Sequence, residues 1–257
     1  MTRVEDLYKY LISLAPLELQ MDFDNSGMQV GHMDANVSKV ILALDITKEV
    51  IEEAIAEKVQ LIISHHPLIF GGVNSACDMD PLTGSKLLRL AENGIAAVSM
   101  HTNLDIAEGG VNDVLIRLLG AETESALDSD GCGRIGSLDS PLPMDEFLRK
   151  SMSVLHTKGI RFFDSGKPVR RIAVMGGSGG SSLMTAFEKG CDTYITSDIK
   201  YNQFLDAAEL GINLIDGDHF GTEDPVMFEL AKKLSEQFPE IEFTVSKKHR
   251  QIISFFT

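Results

Sequence analysis

The chain has 257 residues, 44% hydrophobic and 24% charged, ordinary globular values with room for one large domain or two lobes. A formal net charge of -15 argues against a bare nucleic-acid surface, because phosphate contacts need clustered Lys and Arg, and suits a pocket that holds divalent cations. Cys77, Cys132 and Cys191 are scattered and odd in number, which excludes a disulfide framework or zinc ribbon; without an apolar signal region or a run near the ~20 residues of a membrane helix, a cytoplasmic protein is expected.

Thr2 and Glu5 have capping-box spacing, and Val4, Leu7, Tyr8 and Leu11 recur at helical intervals, so a first helix is predicted to end near Leu14. Residues 21–31, rich in Asp, Asn, Ser and Gly, read as a structured turn. A strand over 39–45 leads to a helix over 48–58 with Thr47 as its N-cap. Leu61-Ile62-Ile63-Ser64 is a short apolar run of the kind that forms a strand buried on both faces. It runs straight into His65-His66, and Pro67, which lacks an N–H, ends the ladder. The two imidazoles therefore lie at the carboxyl end of a central strand, where open α/β sheets bind ligands.

A helix over 83–93 is stopped by Gly94, and a strand over 95–100 enters His101-Thr102-Asn103-Leu104-Asp105. A helix over 111–119 follows, then loop signals over 128–139 and a helix over 144–155. A strand over 171–175 meets the glycine-rich stretch 176–182 and a helix to Lys189. A strand over 192–196 ends in Ser197-Asp198, and a helix covers 203–210. A strand over 212–215 enters Asp216-Gly217-Asp218-His219-Phe220-Gly221-Thr222-Glu223. A helix over 225–237 and strands over 240–245 and 251–256 complete the chain. The alternation predicts an α/β fold of two interlinked, internally similar lobes with mostly parallel sheets: residues 1–125 with 222–257, and residues 126–221. The internal similarity rests on strand 39–44 set over 171–176, and on His101 with Asp105 echoed by His219 with Glu223.

Four of the seven histidines, His65, His66, His101 and His219, fall at predicted strand ends, and Asp105 and Glu223 stand four residues after two of them. Imidazole with carboxylate is a ligand set for Zn, Fe or Mn, and six such groups exceed what one tetrahedral ion uses; they suit two divalent ions. His32, His156 and His249 stand alone in polar contexts and read as structural. The 176–182 stretch fits either a phosphate cradle or a tight strand-to-helix connection, and Asp198 and Lys200 fit either a site or a loop.

Together, Asp24-Asn25-Ser26-Gly27-Met28-Gln29-Val30-Gly31, Ser64-His65-His66-Pro67-Leu68-Ile69-Phe70, His101-Thr102-Asn103-Leu104-Asp105, Gly176-Gly177-Ser178-Gly179-Gly180, Thr196-Ser197-Asp198-Ile199-Lys200-Tyr201 and His219-Phe220-Gly221-Thr222-Glu223 resemble the NGG-one-interacting-factor-three-like family, also called the GTP cyclohydrolase I type 2 family. The resemblance implies a homohexamer with dinuclear metal centres, liganded here by His65, His66, Asp105, His219 and a bridging Glu223. It leaves His101 beside the metals as a catalytic proton shuttle, a task suited to an imidazole. Ser197, Asn202 and Asp218 depart from the family's usual Gly, His and Gly. The expected function is a dinuclear metal-dependent hydrolase acting on a small-molecule nucleotide, with GTP ring opening as the activity the resemblance implies. The alternative is a non-catalytic metal-binding, storage or regulatory scaffold.

Overall fold

The run that ends in two histidines folds as a strand, and its residues Leu61, Ile62, Ile63 and Ser64 are all buried, as coverage on both faces requires. The structure is a computed structural model and describes residues 1–73 and 75–256. In chain order it contains α1 (Val4–Leu14), β1 (Gly27–Val30), β2 (Lys39–Ala43), α2 (Lys48–Ala56), β3 (Leu61–Ser64), α3 (Gly84–Glu92), β4 (Ala96–Ser99), α4 (Thr102–Ile106) and α5 (Val111–Leu118). These are followed by β5 (Ala121–Ala126), β6 (Arg134–Leu142), α6 (Met144–Val154), β7 (Arg161–Phe163), β8 (Val169–Val174), α7 (Leu183–Glu188) and β9 (Thr193–Thr196). The chain then forms α8 (Tyr201–Leu210), β10 (Asn213–Asp216), α9 (His219–Glu223), α10 (Pro225–Gln237) and β11 (Glu242–Val245). No helix among the described residues is long and apolar enough to cross a membrane.

The chain divides into two compact units, Met1–Glu108 with Met227–Arg250, and Gly109–Val226 with the terminal segment from Gln251. In the first, β3 is the middle of a sheet ordered β1-β4-β3-β2-β11. Strands β4, β3, β2 and β11 run parallel, and β1 pairs antiparallel with β4. Helices α2 and α3 lay Val50, Ile51, Ala54, Leu87 and Leu90 against Ile41 and Ile62 of the sheet. Full burial of a Val, Leu or Ile side chain contributes about 1.5–3 kcal/mol. Thr47 caps α2 by accepting the Val50 N–H at 3.2 Å. Helix α1 differs from the sequence expectation: its cap is Arg3, whose N–H is taken by Asp6 at 2.9 Å, rather than Thr2 with Glu5.

The second unit has the sheet β5-β6-β8-β9-β10-β7, with β8, β9 and β10 parallel and the other pairings antiparallel. The order β7-β10-β9-β8 repeats β1-β4-β3-β2, including the antiparallel strand beside the last of three parallel ones. The predicted duplication is therefore present in the topology. The β5–β6 pair occupies residues read from sequence partly as loop, and residues 251–256, expected as a strand, form no ladder. They pack through side chains instead: Gln251 donates to Asp218, and the Phe255 ring covers Gly159, where a Cβ would come within 2.7 Å of it.

Arg134 ties this unit together. Its guanidinium grips Asp113 through Nε at 2.6 Å and a terminal N–H at 3.2 Å, and its other terminal nitrogen donates to the Gly131 and Gly133 carbonyls at 2.9 Å each. Burial alone would raise the Asp113 carboxyl, but Arg134, the Gly109 N–H and the Thr123 hydroxyl outweigh it and hold the carboxyl below the usual range. Replacing Asp113 with Asn strands a buried guanidinium and is expected to cost on the order of 3 kcal/mol at neutral pH. Because the folded carboxyl titrates lower than the unfolded one, its stabilisation is full above about pH 4 and is lost as pH falls through the folded value. Urea unfolding of wild type and variant should therefore differ most at neutral pH and converge in acid. Equal midpoints at pH 7 would refute the assignment.

Candidate metal centre

Strands β3 and β4 are parallel neighbours, so the residues that follow them emerge side by side. The β3 ladder continues past Ser64, with the His65 and His66 N–H groups donating to the Ala43 and Leu44 carbonyls at 3.2 and 2.9 Å. The hydroxyls of Ser64 and Ser99 both donate to the His66 carbonyl, at 2.8 and 3.2 Å, and fix the chain where Pro67 turns it away. His101 follows β4 and precedes α4, whose single turn lifts Asp105 to the same end of the sheet. One ring nitrogen each of His65, His66 and His101 lies within 4.8 Å of the other two. His65 is fully buried, and its Nε2 is 3.6 Å from Asp105 Oδ1.

Each of these imidazoles is held by its other nitrogen. His65 Nδ1 donates to the Met100 carbonyl at 2.7 Å, His66 Nδ1 to Asp45 at 2.8 Å, and His101 Nδ1 to Asp24 at 2.7 Å. Carbonyl and carboxylate oxygens only accept, so Nδ1 carries a proton and Nε2 is the nitrogen that could bind a metal. That is the tautomer and tether of metal-binding histidines. Asp24 is enclosed, and its second oxygen accepts the Ser26 hydroxyl at 2.8 Å and the Thr102 N–H at 3.0 Å. Burial would raise its carboxyl, yet the bonds from His101, Thr102 and Ser26 outweigh that and hold it far below the ordinary range.

The second unit repeats the device. Strand β10 ends at Asp216, and Asp218, held at φ +74°, caps α9 by accepting the Gly221 N–H at 3.1 Å. One turn of helix sets His219 Nε2 3.1 Å from Glu223. His219 Nδ1 donates to Asp198 at 2.8 Å, so Asp198 belongs to the site rather than to an idle loop. The donor chemistry of both units, imidazoles tethered through Nδ1 with adjacent carboxylates, fits divalent metal.

The glycine-rich stretch proves to be a tight connection. The N–H groups of Gly176, Gly177 and Gly179 already donate to Asn112, Thr222 and Thr196, at 2.9, 3.1 and 2.8 Å. Gly177 sits at φ +63°, and a Cβ there would lie 2.1 Å from Glu223 Oε1. Gly177→Ala is thus expected to displace the Glu223 carboxylate and, if Glu223 is a ligand as the resemblance implies, to weaken metal binding by about 10- to 100-fold, the range of changes to residues that position ligands. Metal titration checks this, and unchanged affinity would show that Glu223 is not a ligand.

His249, read as structural, accepts the Leu44 N–H on Nδ1 at 3.1 Å, and Asp192 takes the N–H groups of Arg170 and Arg171. Sequence reasoning missed the three tethers Asp24, Asp45 and the Met100 carbonyl. Asp45 carried a signal, since it ends a predicted strand beside the one that ends in His65.

Fold and donor set together define an α/β protein carrying His and carboxylate groups that could hold metal. The profile of the Duf34/NIF3 (NGG1p interacting factor 3) family matches residues 2–251, and the chain belongs to that family. A Clostridium perfringens protein named GTP cyclohydrolase 1 type 2 homolog is 35% identical over 261 residues, spanning 98% of this chain and 99% of its own. The solved structure of a Bacillus cereus protein related to NIF3 has a TM-score of 0.93 at 23% identity, over 100% of this chain and 99% of its own, a likeness of fold. A Staphylococcus aureus hypothetical protein gives 0.92 at 28% identity over 99% of each chain. The resemblance drawn from the motifs and the α/β fold class both hold.

Proposed function

We propose that this chain is a metal-dependent hydrolase that opens the purine ring of a nucleotide, and that two divalent ions, Zn, Fe or Mn, are held by His65, His66, Asp105, His219 and Glu223, with Glu223 shared between them. The observation that carries the reading is the tethering of four strand-end imidazoles through Nδ1, which makes Nε2 the nitrogen that could bind a metal. The names of curated relatives support a guanine nucleotide as the substrate class. A homohexamer, as the family resemblance implies, and a cytoplasmic location, expected from the scattered cysteines, complete the proposal.

Bound divalent metal would lower the pKa of water at the site towards neutrality. The chain's own residues do the rest. His101, outside the five ligands and fixed by Asp24, accepts a proton from the water and returns it to the leaving ring nitrogen. The water oxygen joins the ring carbon, one ring C–N bond breaks, and the two protons of the water finish on the two ring nitrogens. The test is turnover of a nucleotide panel by metal-loaded protein, with loss of purine absorbance as the readout. GTP turnover that vanishes on chelation is the expected result. Fully loaded protein that turns over none of the panel would leave the storage or scaffold reading in its place.

A further inference from the structure

We propose that Phe70 and Phe23 form a stacking platform for the planar base of the substrate beside His101, an inference that rests on the nucleotide reading above. Phe23 is 67% and Phe70 56% exposed. Single exposed aromatics are common and carry no meaning alone. These two meet edge to face, with centroids 6.4 Å apart and planes at 76°, and Phe70 meets the His101 ring at 6.0 Å and 89°.

The backbone beneath Phe70 is clamped. Asn25 Nδ2 donates to the Ile69 carbonyl at 2.8 Å, and the Ile69 N–H donates to Gln29 Oε1 at 3.1 Å. The Gln29 amide returns to the Asn25 carbonyl at 2.7 Å. The same turn carries Asp24, which holds His101. One short stretch of sequence thus sets both an imidazole and the aromatic ring next to it, and it accounts for the polar residues of the Asp24-Asn25-Ser26-Gly27-Met28-Gln29 motif. A rigid, open aromatic face next to a proton-carrying group suits a ligand that is flat and reacts on its ring. Every nucleobase has such a face, so stacking selects for a base without reading its edge.

The chain has no tryptophan, so Phe70→Trp places a single indole on the platform. Metal-loaded Phe70→Trp protein is titrated with GTP, guanosine and inorganic tripolyphosphate. GTP and guanosine should quench the indole emission and tripolyphosphate should not. In equilibrium dialysis, Phe70→Ala and Phe23→Ala should each bind GTP roughly tenfold more weakly, with Phe70→Tyr restoring affinity. Quenching by tripolyphosphate equal to that by GTP, unchanged GTP binding by Phe70→Ala, or no binding of any of the three would overturn the platform. Binding with quenching but without turnover would sink the hydrolase reading and leave the platform standing. Turnover with an unaltered KM in Phe70→Ala would do the reverse.

Discussion

Glu223→Ala protein is expected to purify with one equivalent of metal or less per chain, against two for the wild type. Glu223 is 4% exposed, lies 3.1 Å from the Nε2 of His219, and has space cleared for it by Gly177. If Glu223 is the shared ligand proposed above, its loss should affect both ions, whereas Asp105→Ala should weaken one. A ligand that binds only the native state stabilises it, by about 2.7 kcal/mol at a hundredfold excess over Kd. Chelation should therefore lower the melting temperature of wild-type protein by several degrees and that of Glu223→Ala by less. Metal analysis decides the matter: full occupancy in Glu223→Ala removes the shared-ligand assignment.

Asp24→Asn is expected to cut turnover by about 10- to 100-fold while metal content stays at the wild-type level. Asp24 accepts on both oxygens, from His101 on one and from Ser26 and Thr102 on the other. An amide can accept on only one side, so either orientation turns an N–H towards another donor and releases the imidazole from its tautomer or its orientation. This makes Asp24 a positioning residue acting through His101. A double-mutant cycle separates that from a merely structural role: Asp24→Asn on top of His101→Ala should cost no further activity. An additive loss would show that Asp24 acts elsewhere. His101→Ala alone should keep its metal, and loss of a whole equivalent would move His101 among the ligands.

The elements that sequence reasoning placed well are those with a strong local period or a hard stop. Helix α10 matches its expected span, and α3 ends at Asn93 and Gly94, the latter at φ +63°, as its glycine dictates. Strand β5 escaped notice because four of its six residues, Glu122 to Ser125, are exposed and polar; its pairing with β6 makes it a strand, and no apolar alternation announces it. The opposite error came at residues 251–256, where apolar side chains suggested a strand but docking is by side chain and not by ladder. At the site, strand-end histidines could be found because sheet topology gathers strand ends. Of their tethers, Asp198 was a candidate and Asp45 stood at a strand end, but Asp24 is 77 residues from His101, a separation that only the folded chain brings within a hydrogen bond.

Strand β2 gains its outer neighbour late. Its partner on that side is β11, with Lys39 opposite Glu242 and Leu42 opposite Val245. A ribosome adding about 5–20 residues per second needs on the order of ten to forty seconds to make the intervening chain. Throughout that interval β2 presents an unpaired parallel edge whose residues Val40, Ile41 and Leu42 are apolar, the kind of edge that recruits strands from other chains. The whole second unit up to Val226 is translated in the meantime. Synthesis of this protein thus carries a built-in delay, and a premature stop upstream of Glu242 makes that open edge permanent.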